Sequence, residues 1–235
     1  MTQELPKHIV IIPDGNRRWA KKRGLLPWQG HLAGVKAVEK VLKAAADIKI
    51  PYLTIWVGSF ENLTKRSKIE INFLFKLYKT YFSKLAKDKR IRQNEVKINV
   101  FGRWREIAPQ RAKESIEKAI NLTKNYNKHF LTILVAYNGT DEMIEAIKNI
   151  LNLSKTKKIE VTSDLIKENL WTKDLPPVDL LIRTGGEPHN STGFMMWHTA
   201  DSQLYFTETL WPDFEEKEFK RAIEEYSERE RRFGA

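Results

Sequence analysis

The chain has no cysteine among its 235 residues, which excludes disulfides and thiolate metal sites and fits a reducing cytoplasm. No stretch approaches the roughly 18 consecutive apolar residues of a membrane span. Met1–Lys7 is short and polar and lacks the apolar core of a signal peptide. Linkers rich in glycine, serine or proline are missing, as are repeats, so the chain reads as one domain over residues 1–235. Negative charge is scarce: 30 Asp and Glu face 41 Lys and Arg, leaving a net charge of +11. That balance suits an anionic partner such as nucleic acid, an acidic membrane surface or a phosphorylated substrate. No helix-turn-helix or aromatic-on-strand pattern accompanies it, which argues against nucleic acid. Many lysines, among them Lys36, Lys40 and Lys43, fall at exposed helix positions and need no partner.

Apolar runs and helical periodicities alternate along the chain. Strands are expected at His8–Ile12, Tyr52–Val57, Val96–Phe101, Phe130–Ala136 and Asp179–Arg183, with short β candidates at Phe194–Trp197 and Leu204–Phe206. Helices are expected at Gly30–Ile48, Lys68–Ile91, Gln110–Asn125, Asp141–Leu153 and Ser163–Trp171. Asp213-Phe-Glu-Glu216 resembles a capping box opening a last helix, Phe214–Arg231. Such alternation predicts an α/β fold, a central parallel sheet flanked by helices on both faces. Ligands of these sheets bind beyond the carboxyl ends of the strands.

The strand exits carry the chemistry. After His8–Ile12 comes Asp14-Gly15-Asn16-Arg17-Arg18-Trp19, an acid beside two arginines on a glycine turn. The acid can hold a metal while arginines and amides hold phosphate oxygens; a salt-bridged turn is the plainer alternative. Further exits read Gly58-Ser59-Phe60-Glu61-Asn62, Gly102-Arg103, Tyr137-Asn138-Gly139 and Arg183-Thr184-Gly185-Gly186-Glu187. Glycine turns alone do not account for Arg18, Asn62 and Arg183 on one rim. In Lys68–Ile91, the stripe Ile71, Leu74, Phe75, Tyr78, Phe82 and Leu85 is widened by Phe73, Leu77 and Tyr81. A face that broad buries two sides or lines an apolar cavity. Beside a cationic rim, an apolar tunnel points to an amphiphile with a diphosphate head and an isoprenoid tail. Val57, at the end of its strand, is expected to narrow that tunnel, and the helix aromatics Phe73, Phe75, Tyr78, Tyr81 and Phe82 to crowd it further.

The motifs His8-Ile-Val-Ile-Ile-Pro-Asp-Gly-Asn-Arg-Arg-Trp-Ala-Lys-Lys22, Gly30-His31-Leu-Ala-Gly34, Ser59-Phe-Glu-Asn62, Asp179-Leu-Leu-Ile-Arg-Thr-Gly-Gly-Glu187, Leu204-Tyr-Phe-Thr207, Leu210-Trp-Pro-Asp-Phe214 and Arg231-Arg-Phe-Gly234 resemble the cis-prenyltransferases, the undecaprenyl diphosphate synthase family. The resemblance runs in order from His8 to Gly234. It implies a cytoplasmic homodimer, peripheral to the membrane that its product contacts. It also implies Mg²⁺-dependent condensation of isopentenyl diphosphate with an allylic diphosphate. Carried over, Asp14 is the catalytic, magnesium-holding aspartate, and Gly15, Asn16, Arg17, Arg18, Trp19 and His31 take the allylic diphosphate. Ser59, Glu61 and Asn62 lie by the reacting carbons, with Asn62 near the departing proton and Arg66 after them. Arg183 takes isopentenyl diphosphate with His189, Asn190 and Thr192, and Arg231–Gly234 reaches the partner subunit's site.

The chain also departs from the family pattern. Pro27 stands where an arginine precedes the histidine, Leu63 replaces a tryptophan, and the arginine after it matches Arg66 only through an insertion. A further insertion aligns His189 with the family's histidine, puts Asn190 in place of an arginine, and puts Thr192 in place of a serine. The metal-holding glutamate before Leu-Tyr-Phe is Gln203, a weaker Mg²⁺ ligand. The alternatives are a divergent relative with irregular coupling or a short product, and a non-catalytic partner subunit.

Overall fold

The computed structural model of the chain describes residues 5–229. Six parallel strands form one sheet in the order β3-β4-β2-β1-β5-β6. They are β1 (His8–Ile12), β2 (Tyr52–Gly58), β3 (Val96–Phe101), β4 (His129–Val135), β5 (Leu180–Arg183) and β6 (Gln203–Phe206). Central strands read as unbroken apolar runs because both faces are covered. In β1, Ile9 and Ile11 enter one core with Leu53, Ile55, Leu131 and Ile133. Val10 and Ile12 enter the other, with Trp56, Leu181 and Phe194.

The helices are α1 (Asn16–Lys22), α2 (Pro27–Ile48), α3 (Phe60–Thr64), α4 (Lys68–Leu85), α5 (Lys89–Gln93), α6 (Trp104–Ile107), α7 (Gln110–Thr123), α8 (Gly139–Ser154), α9 (Ser163–Glu168) and α10 (Glu216–Glu228). Pro27 occupies the first turn of α2, where its missing N–H costs nothing. Gly30 and Gly34 let α2 press onto α1, since a Cβ would lie 2.0 Å from the Asn16 carbonyl oxygen at Gly30 and 2.1 Å from Asn16 Oδ1 at Gly34.

Several expected elements are corrected. The helix expected over Lys68–Ile91 ends at Leu85, and Asp88 caps a separate α5 by accepting from the Arg90 N–H at 2.8 Å. Phe194–Trp197 is a series of turns, not a strand. The last helix starts at Glu216, and its box is formed by Glu215 and Glu218. Asp213 instead ends a 3-10 turn, Trp211–Asp213, and accepts from Trp19 Nε1 at 2.7 Å.

Candidate active site

Two clefts open beyond the carboxyl ends of β1, β2 and β5 and share Pro13, Asp14, Asn16, His31 and Arg66 as walls. The first, about 670 Å³, is formed by α1 and the start of α2 and adds Gly15, Arg17, Arg18 and Lys21. The second, about 390 Å³, runs under α4 and adds Ser59, Asn62, Arg183, Ser191 and Thr192. Gly15 takes φ 108°, a conformation that favours glycine, to turn the chain from β1 into α1.

Asp14 stands where the clefts meet. Its Oδ1 lies 3.2 Å from Arg18 Nη2, and its Oδ2 accepts from Arg183 Nη2 at 3.1 Å. The Thr184 hydroxyl accepts from the Asp14 N–H and donates to the Asp14 carbonyl, fixing the turn through the backbone. That carbonyl also accepts from the Trp211 N–H. Arg183 is 6% exposed, and its Nη1 donates to the His189 carbonyl and to Ser191 Oγ. Its Nε is buried and has no acceptor among the described residues.

A second knot of charge sits on the opposite wall around Glu70, a buried carboxylate that the sequence motifs do not single out. Arg66 Nη1 donates to Glu70 Oε1 at 3.0 Å, His31 Nε2 lies 3.0 Å from the same oxygen, and Arg17 Nε is 3.9 Å away. Burial pushes the Glu70 carboxyl up, but the hydrogen bond with His31 and the charges of Arg66 and Arg17 outweigh it and hold it low. Burial lowers His31, and Arg66 adds to that against the bond with Glu70. The imidazole is therefore mostly neutral near pH 7. In sequence, Glu70 looks like the fourth member of a capping box after Ser67, whose hydroxyl accepts from the Glu70 N–H. That pattern conceals its second role.

Five expected residues lie outside the clefts. Trp19 turns its indole onto Asp213 and stacks with Arg23. Glu61 is held by Asn138 Nδ2 at 3.2 and 3.1 Å and lines neither cleft. The His189 ring is exposed beside Ser191 and Glu187, and only its backbone carbonyl reaches Arg183. Asn190 donates to the Phe194 carbonyl within its own loop. Gln203 begins β6 level with Leu180, and Leu180 is level with Ile9. Asp14 lies beyond the other end of β1, which ends about 10 Å further along the sheet at 3.3 Å per residue, so the two share no metal within one subunit. The hydroxyl on Arg183 belongs to Ser191, whereas Thr192 lines the second cleft. Asn62 Oδ1 accepts from Arg66 Nε and Nη2, so the amide offers the cleft its N–H donors. Where the family pattern has an arginine, Pro27 lines the first cleft together with Lys21.

The donors suit a hard cation brought in with its ligand. Asp14 offers carboxylate oxygens, and Asn16 Oδ1 is buried in the same wall without a hydrogen-bond partner. No group of three or more His, Cys, Asp or Glu that could hold a metal occurs among the described residues. Mg²⁺ commonly takes one or two protein carboxylates and fills its octahedron with phosphate oxygens and water. The set fits that pattern.

Toward the other end of the sheet, the second cleft shares Val35, Val38, Val57, Leu77 and Tyr78 with an apolar pocket of about 50 Å³. Tyr81 and Phe82 wall that pocket, but Phe73 and Phe75 do not. Leu42 and Leu131 also stand in the wall of a third pocket of about 300 Å³ at the amino-terminal ends of β2, β3 and β4.

A parallel α/β sheet whose two clefts meet at one carboxylate between arginines offers an anionic ligand a cationic seat. The family model described as "Putative undecaprenyl diphosphate synthase" matches residues 12–234. The chain belongs to this prenyltransferase family and is a transferase. A tritrans,polycis-undecaprenyl-diphosphate synthase (geranylgeranyl-diphosphate specific) of Pyrococcus furiosus is 40% identical, over 98% of this chain and 87% of that protein. An isoprenyl transferase of Fusobacterium nucleatum is 41% identical, over 100% and 98%. Among solved structures, the chain resembles lavandulyl diphosphate synthase of Lavandula x intermedia in complex with dimethylallyl diphosphate. The TM-score is 0.90 at 29% identity, covering 98% of this chain and 99% of that one.

Proposed function

We propose that this prenyltransferase condenses isopentenyl diphosphate with an allylic diphosphate, with Mg²⁺, to give a polyprenyl diphosphate. The carrying observation is Asp14 shared by two clefts, with Arg18 on the side of the first and Arg183 on the side of the second. The allylic diphosphate occupies the first cleft, gripped by Arg17, Arg18 and the walls around His31. Isopentenyl diphosphate occupies the second, gripped by Arg183 and Ser191. Asp14 would hold Mg²⁺ together with diphosphate oxygens, and the metal would supply charge neutralisation for the leaving group. Arg18 stabilises the negative charge that grows as the allylic carbon–oxygen bond breaks. The Asn62 amide, fixed by Arg66, orients the second substrate as its double bond attacks the allylic carbon and the neighbouring carbon gives up a proton.

The growing tail follows the apolar line past Val57 and Tyr78. A 50 Å³ pocket is smaller than a cavity of about 150 Å³ that admits benzene, so elongation requires side chains of its wall to move. That constriction favours a second reading, a short or irregularly coupled product. Purified protein with Mg²⁺, labelled isopentenyl diphosphate and allylic primers from dimethylallyl to geranylgeranyl diphosphate decides between them. A ladder of elongated products supports the first reading, a single short product the second, and no incorporation with any primer refutes both.

The chain pairs with a second copy through α8. Ile144, Ile147 and Leu151 form an exposed apolar stripe at helical spacing, 51%, 50% and 58% accessible. Light scattering should report a dimer that Ile147→Asp/Leu151→Asp converts to monomer; a dimer surviving that change places the contact elsewhere. The expected contribution of Arg231–Gly234 lies outside the described residues.

A further inference from the structure

Asn138 stands between β4 and α8 and is 4% exposed. Its side chain makes no capping bond to its own helix. The amide turns to α3 instead: Oδ1 accepts from the Phe60 N–H at 3.3 Å, and Nδ2 donates to the two Glu61 carboxylate oxygens at 3.2 and 3.1 Å. Phe60 and Glu61 open α3, the short helix that carries Asn62. The Arg103 guanidinium covers the Phe60 ring, 3.8 Å from its centroid, and is itself held by Glu106 at 2.8 Å and Asp141 at 3.3 Å. A helix of five residues does not keep its place by its own hydrogen bonds. These outside contacts set where α3 sits.

The next two residues hold another part of the same cleft. The N–H groups of Gly139 and Thr140 donate to the Thr192 carbonyl at 3.1 and 3.3 Å, and a Cβ at Gly139 would run into the Gly193 carbonyl oxygen. Ser59, Asn62, Ser191 and Thr192 all line the second cleft, so the first turn of α8 ties its two polar segments together. We propose that Asn138 is a positioning residue for prenyl transfer, fixing where α3 presents Asn62 to the substrate of the second cleft. This rests on the reading of that cleft as the seat of isopentenyl diphosphate. Asn138 lines neither cleft and acts through α3. Misplacing a group by about 1 Å costs on the order of 10²-fold in rate. No residue of α3 lines the first cleft, so the effect belongs to one substrate.

Steady-state kinetics of the full chain test the proposal. Asn138→Ala removes both contacts with α3. Asn138→Asp keeps an acceptor for the Phe60 N–H but sets a carboxylate against Glu61 and Asp141. Each should lower kcat/KM for isopentenyl diphosphate at least tenfold and leave KM for the allylic diphosphate within twofold. Asn138→Asp/Glu61→Gln restores one amide and one carboxylate to the pair with their places exchanged, and should return to within threefold of the native chain. Glu61→Ala cuts the same contact from its half-buried end and should show the same split, which keeps the test alive if an Asn138 variant fails to fold. Thr172→Val removes a 2.7 Å bond to Glu142, lower in α8, and should reduce Tm without the split. Equal losses for both substrates, no recovery in the exchanged pair, or the same split from Thr172→Val overturns the proposal.

Amide hydrogen exchange reads the same clamp without turnover. In Asn138→Ala the amides of α3 should exchange at least tenfold faster, while those of β1 keep their native rates. Native exchange in α3 overturns the proposal whatever the kinetics. Absence of transfer by the native chain defeats the catalytic reading. Faster exchange in α3 then still supports Asn138 as the residue that places this helix at the cleft.

Discussion

Neutralising Asp14 removes the carboxylate that Arg18 and Arg183 share and leaves Arg18 with Glu187 alone, 3.6 Å away. Asp14→Ala should lower turnover by about 10²-fold or more, a scale seen when one preorganised electrostatic group is removed. The turn itself should survive, because Thr184 and Trp211 hold it through the Asp14 backbone. Initial rates with unchanged thermal unfolding are the expected pair of results. Glu70 should behave differently. It is 5% exposed and binds Arg66 and His31, so Glu70→Ala leaves the Arg66 guanidinium with Asn62 Oδ1 but without its charge partner. Breaking a pair this buried costs about 3 kcal/mol, roughly 6–12 °C in Tm for a chain of this size. A Tm within a degree or two of the native value would show the cluster to be solvated.

At the scale of elements, the two tyrosines of α4 at the apolar constriction are not equivalent. Tyr78 donates to the Val57 carbonyl at 2.8 Å, whereas the buried Tyr81 hydroxyl has no partner among the described residues. Tyr78→Phe should cost about 1 kcal/mol, and Tyr81→Phe should cost nothing or stabilise; denaturant titration separates the two. If the constriction limits the tail, Tyr81→Ala lengthens the product, and an unshifted distribution dissociates this pocket from chain length.

The same elements show what was legible beforehand. The parallel strands announce themselves as apolar runs closed by glycine or proline, which also places Asp14, Asn62 and Arg183 on one rim. The break after Leu85 is hidden because Ala86-Lys87-Asp88 contains neither glycine nor proline, and only the capping side chain of Asp88 marks it. Phe194 and Met195 resemble a strand because they are buried, yet they pack from turns against Trp56 and Tyr137. Trp19 and Gln203 stand in family motifs, but a motif does not tell which way an indole turns or which end of a strand a residue occupies.

For the whole molecule, two buried histidines govern acid stability. Burial holds His8 at about 4 against the bond with Pro176, and its ring bridges the Pro176 carbonyl and Thr54 Oγ1. Burial, then the charges of His8 and Lys167, puts His198 at about 4 beside the Thr172 hydroxyl. Between pH 6.5 and 4 the unfolded chain binds the protons that the native state refuses. Their contribution is therefore complete above pH 6.5 and lost as pH falls toward 4, on the order of 3 kcal/mol each. Glu70, held low, adds to the loss below about 4.5. Glu142, raised by burial despite its bonds with Tyr137 and Thr172, works the other way. Tm should be flat near neutrality and fall steeply from pH 6 to pH 4; a flat profile through that range would mean that these imidazoles reach solvent.

The common wall between the two clefts also carries a thermodynamic obligation. A ligand that draws Arg183 away from Asp14 alters the charge presented to the neighbouring cleft, and one that engages Arg18 does the same in return. Binding at one place is then felt at the other, and energy conservation makes the exchange symmetric. An unreactive thiodiphosphate analogue of the allylic substrate should change the dissociation constant of isopentenyl diphosphate by some factor in calorimetry. With the order of addition reversed, the factor must be the same. Saturating competition instead of a finite factor would mean that both diphosphates seek a single place. A finite factor makes the turn at Asp14 a messenger between two substrates before any bond between them forms.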